Sequence, residues 1–180
     1  MRWLLLFVCC FFLVASEEET IVWSATKRLS WANFKGNPVQ NSDAVAVTAS
    51  GIAYEISTIN DGKRVYYDMK VFAYFSPQNS WYKPKHVNQN VLEHEQLHFD
   101  ITALYAEIFK QRLQNMKFGN DAQRAKARIK ELYLQTVEEM DSVQKLYDKQ
   151  TEYSVNGSAQ MAWRLKITSR LKKYLGNAGS

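Results

Sequence analysis

The segment LEHEQLHFD, residues 92–100, holds two of the three histidines in the chain, His94 and His98, with Glu95 directly after the first. On a helix, residues four apart stand on one face about a turn from each other, so both imidazoles can reach one metal ion. Glu95 is rotated by roughly 100° from His94; it stays out of the ligand set but can reach a water on the metal. Two imidazoles, a third ligand from elsewhere, an open position for water and a carboxylate to take its proton are the working parts of a zinc hydrolase. The plainer alternative is a pair of core or groove histidines. His94 and His98 share a stripe with Leu97, Ile101 and Tyr105, which turns them to the interior. Imidazoles there need partners, and a metal supplies them.

The third ligand must come from another element. If the helix of the two histidines pairs with the next one about a turn near residue 119, His94 lies opposite roughly residue 144 and His98 opposite roughly residue 140. Glu139, Asp141 and Asp148 are the carboxylates near that level, and Glu138 points away from the apolar stripe. Asp148, or a group just after it in YDKQTEY (147–153), is the preferred third ligand. His86, ahead of the helix, reads as incidental. Asp100 points away from the face of His98 and is expected to orient an imidazole through its free nitrogen. Tyr153 and Tyr105 are, by residue type, candidates to hydrogen-bond an oxyanion.

The elements that must position these groups follow from periodicity. From Ile21 to Phe75 the pattern is strands and turns: Val65, Tyr67, Met69, Val71, Ala73 and Phe75 alternate with Tyr66, Asp68, Lys70, Phe72 and Tyr74, which predicts a half-buried antiparallel strand. NDGK (60–63) carries an Asp-Gly hairpin signal. LSWANFKGNP (29–38) is expected as an irregular lead-in packed on the sheet. After SPQNSWYKP (76–84) the period becomes helical, with Asn90 and Glu93 as a capping pair and apolar residues at Leu97, Ile101, Leu104, Tyr105 and Ile108. Gly119 is expected to end this helix and Asn120 or Asp121 to cap the next, so two long helices lie antiparallel. A third helix starts near Ser158 and carries Met161, Trp163, Leu165, Ile167 and Leu171. The fold class is therefore α+β: an N-terminal antiparallel sheet (β-rich part 21–76) packed on a helical hairpin plus a C-terminal helix (88–174), as one zincin-like domain over 17–175 with a flexible tail at 176–180.

Residues 1–16, MRWLLLFVCCFFLVAS, read as a secretory signal peptide: Arg2, an unbroken apolar run, then Val14-Ala15-Ser16. The run is short for a bilayer span, and LFVC resembles a lipoprotein box only loosely because Val8 is bulky. Both cysteines, Cys9 and Cys10, lie inside this leader. The mature chain is thus expected to be secreted or periplasmic, without disulfides, thiol nucleophile or thiolate metal site. The sequence has 23 basic side chains, one of them Arg2 in the leader, against 18 acidic. That excess is modest and spread over helices, which argues against nucleic-acid binding. No phosphate-cradling glycine loop or repeat is present.

LSWANFKG (29–36), Ser80-Trp81, LEHEQLHFDI (92–101), YDKQT (147–151) and QMAW (160–163) together resemble the bacterial domain-of-unknown-function family 922, whose members are described as secreted zinc-dependent proteases by prediction. The resemblance covers nearly the whole mature chain. The family's last motif usually reads Tyr-Asp-x-x-Thr-x-His, and this sequence has Tyr153 at the final position. If that histidine is the family's third ligand, this chain has lost it; Asp148 then carries the third bond, with Tyr153 as the alternative.

Two functions follow as expectations. In the first, a secreted zinc hydrolase of the metallopeptidase type holds Zn2+ through His94, His98 and Asp148, uses Glu95 as general base and takes a peptide or protein substrate as a monomer. In the second, a catalytically weak or inactive zincin-like protein serves as a binding or scaffold module of the cell envelope. The second draws on Tyr153 and on Trp23, Trp31, Trp81, Tyr82 and Trp163 as a sticky surface, although core packing is the favoured role for those rings. Peripheral association with an anionic membrane is a further expectation for the C-terminal helix with Arg164, Lys166, Arg170, Lys172 and Lys173.

Overall fold

Strands form where the sequence alternates. β3 (Ser50–Asn60) and β4 (Val65–Phe75) pair antiparallel along their whole length, with Ser50 opposite Phe75, and β1 (Ile21–Val22) adds to the other side of β4. The alternation read for β4 holds at its end, where Ala73 and Phe75 are buried against the helices. β2 (Ala46–Val47) and β5 (Trp81–Tyr82) make a second, two-stranded ribbon. The structure is a computed structural model, and it describes residues 19–60, 65–118 and 121–176. The leader at 1–16, the Asp61-Gly62 turn, Gly119-Asn120 and the tail beyond Gly176 lie outside the described residues.

The lead-in works as a staple. Ser30 and Asn33 form a reciprocal cap on the short 3-10 turn Trp31–Asn33. Gly36 donates its N–H to Ser80 O at 2.8 Å, so closely that a Cβ there would sit 2.6 Å from Gln78 O; only glycine lets the two backbones meet. Ser80, fully buried, donates to Ser76 O and accepts from Ala49 N–H. The rings of Trp31 and Tyr82 stack at 4.6 Å, and Trp81 and Trp163 are buried, so these aromatics are core rather than a sticky face.

α1 (Gln89–Gln114) is the centre of the molecule, packed by the sheet, by α2 (Ala122–Thr151) and by α3 (Gly157–Gly176). Ile101, Leu104, Phe109 and Leu113 are fully buried, each contributing about 1.5–3 kcal/mol of hydrophobic stabilisation. Its N-cap is Asn88, whose side chain accepts from Val91 N–H, not Asn90 as the Asn-Glu spacing predicted. Asn90 lies inside the first turn and donates its amide N–H to Ser154 O instead. Asp121 caps α2 through Arg124 N–H, as expected.

The helices pair, but one turn out of the predicted register. His98 meets Gln144 rather than residue 140, and His94 meets Asp148 rather than residue 144. Between α2 and α3, Glu152, Tyr153 and Ser154 are consecutive left-handed residues with φ of 50°, 52° and 78°. Each costs on the order of 1 kcal/mol. Bonds from Tyr153 N–H to Asp148 O, Asn156 N–H to Thr151 O and the Asn90 amide to Ser154 O hold the turn. The architecture is α+β, a small antiparallel sheet with three α-helices among the described residues. No helix among them is long and apolar enough to cross a membrane.

Candidate metal centre

His94 and His98 leave α1 one turn apart toward the C-terminal end of α2, and Asp148 comes from that end. His94 Nε2 is 3.1 Å from Asp148 Oδ1, His98 Nε2 is 2.9 Å from the same oxygen, and the two Nε2 atoms are 3.1 Å apart. Three electron-pair donors in so tight a triangle require a positive charge among them, a proton or a metal ion. A tetrahedral site with bonds of about 2.0–2.1 Å has edges of about 3.3 Å, so the observed separations fit a first-row divalent ion closely. His94, His98 and Asp148 are also the one group among the described residues whose His and carboxylate donors converge in this way.

The surroundings fix the rings. His94 stacks on the fully buried Tyr147 at 4.5 Å and His98 meets the same ring edge-on. Each Nδ1 faces a glutamine oxygen: Gln160 Oε1 at 3.3 Å from His94 and Gln144 Oε1 at 2.5 Å from His98. Burial pushes Asp148 up, but hydrogen bonds from His94 and His98, with their charges, hold its carboxyl well below the usual carboxylate range. Burial pushes His98 down, yet the bond to Asp148 and the negative charges of Glu95 and Asp148 raise it above the ordinary imidazole value. Without a metal the triangle thus draws in a proton. Burial and the neighbouring carboxylates keep the Tyr147 hydroxyl far above the ordinary tyrosine value, so it stays neutral.

Glu95 is 5% exposed, and its main-chain carbonyl accepts from Thr48 Oγ1. Among the described residues its carboxylate enters no hydrogen bond or ion pair. Every fully enclosed side-chain N or O among them has a partner, so the unbonded Glu95 oxygens retain contact with solvent. It is electrostatically coupled to His98 and Tyr147. It is a buried carboxylate open to water beside a group that could hold a cation.

The other candidates fall elsewhere. Asp100 does not orient an imidazole: it accepts from Trp23 Nε1 and Gln96 Nε2, both at 2.8 Å, and from Arg28 at 3.4 Å. Its position on α1 points it to the lead-in rather than to α2. Glu139 pairs with Arg112 at 2.8 Å, Asp141 and Glu138 are exposed, and His86 is exposed in the 3-10 turn Pro84–His86. Tyr153 is 72% exposed in the left-handed turn, and Tyr105 is buried beside Arg170. Gln144 and Gln160 escaped sequence reasoning because amides carry no charge or spacing signature; the QMAW element held the one clue. A groove of about 690 Å3 lined by Arg28, Leu29, Leu92, Glu93, Arg164 and Lys172 lies on the opposite side of α1. Its arginines are already engaged by Asp100 and Glu93.

The residues of the triangle lie in a stretch that is recognisable in other proteins. Residues 74–157 match the model of a family described as bacterial protein of unknown function (DUF922). This segment belongs to the DUF922 family. It runs from the end of β4 to the start of α3 and contains His94, Glu95, His98 and Asp148, so the DUF922 segment carries the whole triangle. The lead-in at 29–36 and QMAW at 160–163 fall outside the DUF922 match. The chain matches no curated protein and no solved structure.

Proposed function

We propose that this protein is an exported zinc-dependent hydrolase of zincin-like build, and within that class a peptidase. The observation that supports it most is the convergence of His94, His98 and Asp148 beside Glu95, which is buried, touches solvent and has no partner for its carboxylate among the described residues. The donor set is two imidazoles and one carboxylate, which suits zinc. A divalent ion bound there supplies Lewis-acid polarisation of a carbonyl and makes a nearby water more acidic. Glu95 accepts the proton of the attacking water and passes it to the departing amine. Tyr147, neutral and stacked on His94, holds the ring plane and keeps water from that side. Export rests on the leader at residues 1–16.

One observation favours the second reading, an inactive zincin-like binding module of the envelope: Tyr153 stands in the place of the family's expected histidine and faces solvent. Glu95→Gln separates the two. With zinc supplied and a quenched fluorescent peptide library as substrate, this variant should retain the metal and lose hydrolysis by about 100- to 10,000-fold. Equal turnover by wild type and variant, or none by the zinc-loaded wild type, would remove the peptidase.

A further inference from the structure

We propose that Gln144 and Gln160 are positioning residues that lock both site histidines in the Nδ1–H tautomer, so that both Nε2 lone pairs point at the same spot. This rests on the metal-site reading for its purpose but not for its geometry. A glutamine amide can accept at oxygen or donate at nitrogen, and which atom faces the imidazole is decided by what holds the other one.

For Gln160, the Nε2 group donates to Asn90 O and Asn90 Oδ1, both at 3.0 Å. Both of those atoms are acceptors, so a flipped amide would set oxygen against oxygen twice. Gln160 Oε1 therefore faces His94 Nδ1 and can only accept, which puts a ring proton on Nδ1; Nε2 gives a second proton to Asp148 only while the ring is charged and carries the lone pair in the neutral ring. Gln160 is 5% exposed, and water does not replace these bonds. For Gln144, the Nε2 group donates to His98 O at 3.0 Å and to Thr102 Oγ1 at 3.2 Å, leaving Oε1 to accept from His98 Nδ1. Thr102 is itself fully buried and bonded to Ser50 at 2.7 Å, which ties the clamp to β3.

The pairing is symmetrical in chemistry and divided in origin. α2 supplies the clamp for His98, α3 supplies the clamp for His94, and the rings they hold come from α1. Asn90 links the second clamp to the strained turn by donating to Ser154 O, so α1, the end of α2 and α3 are joined at one point. Neutral amides orient the rings without adding charge. Asp148 and Glu95 thus supply the negative charge at the site, a balance that a carboxylate in either clamp position would change.

The test uses Gln144→Leu and Gln160→Leu, close in volume but without an acceptor. Ring 15N NMR of the metal-free wild type at alkaline pH should show both site histidines as the Nδ1–H tautomer. Zinc titrations against a chelator should show affinity weakened about 10- to 100-fold in each leucine variant. Nε2–H tautomers in the wild type would overturn the proposal, as would leucine variants within twofold of wild-type affinity. If wild-type protein binds no zinc, the metal-site reading fails while the tautomer measurement still decides the lock. A leucine variant that does not fold leaves the wild-type spectrum to decide it.

Discussion

Asp148 carries the formal negative charge of the triangle, and its effect reaches both imidazoles through one oxygen. Its carboxyl is held below the ordinary range and His98 is raised above it. In metal-free protein the stabilisation from Asp148 is present above its unfolded pKa and is lost as pH falls through the lowered folded value. That from His98 is present below its unfolded pKa and is lost as pH rises through the raised folded value. The pair therefore stabilises the metal-free fold most between about pH 4 and 6.5. Denaturant unfolding in a chelator should show wild type losing stability from pH 5.5 to 9 more steeply than Asp148→Asn; parallel profiles would count against the coupling. At the same scale, His98→Ala should lose zinc, since two remaining donors hold it weakly.

The elements bring these residues together through contacts that local periodicity shows only in part. His94 and His98 were legible because a helix turns a four-residue spacing into a shared face. Asp148 was legible as the preferred one of three carboxylates within reach of that level, beside Glu139 and Asp141. The register between α1 and α2 was off by a turn because helical periodicity fixes which face each helix turns inward and not how far two helices are offset along their axes. Asn88 was missed as the cap, and Asp100 was assigned to an imidazole, because short polar side chains choose partners from the tertiary surroundings. At Asn90 the consequence is testable. Asn90→Ala removes the donor to Ser154 O and the acceptor for Gln160, and should destabilise the protein by about 1–3 kcal/mol. Limited proteolysis should then cut at 152–156 faster than in wild type; unchanged rates would show that the turn does not depend on α1. Gly36→Ala should cost a similar amount, about 1–3 kcal/mol, because backbone atoms stand where its methyl must go, and a denaturation midpoint equal to wild type would contradict this.

Seen whole, the molecule wraps a sheet and two helices around α1, and the triangle of His94, His98 and Asp148 lies where the helices meet. The α+β class was readable from the change of period near residue 88, whereas the central place of α1, buried on nearly every side, came from tertiary packing. An ion held between α1 and α2 by this triangle would bind the folded state alone and so stabilise it by mass action. Zinc at about 100 times its dissociation constant adds about 2.7 kcal/mol, a rise of about 5–10 °C in melting temperature for a chain of this size. The most direct test of the central claim is metal content by elemental analysis after exposure to zinc and gel filtration. We predict about one equivalent of zinc in the wild type and less than about a tenth in Asp148→Ala. Less than about a tenth of an equivalent in the wild type, or a full equivalent in Asp148→Ala, would contradict it.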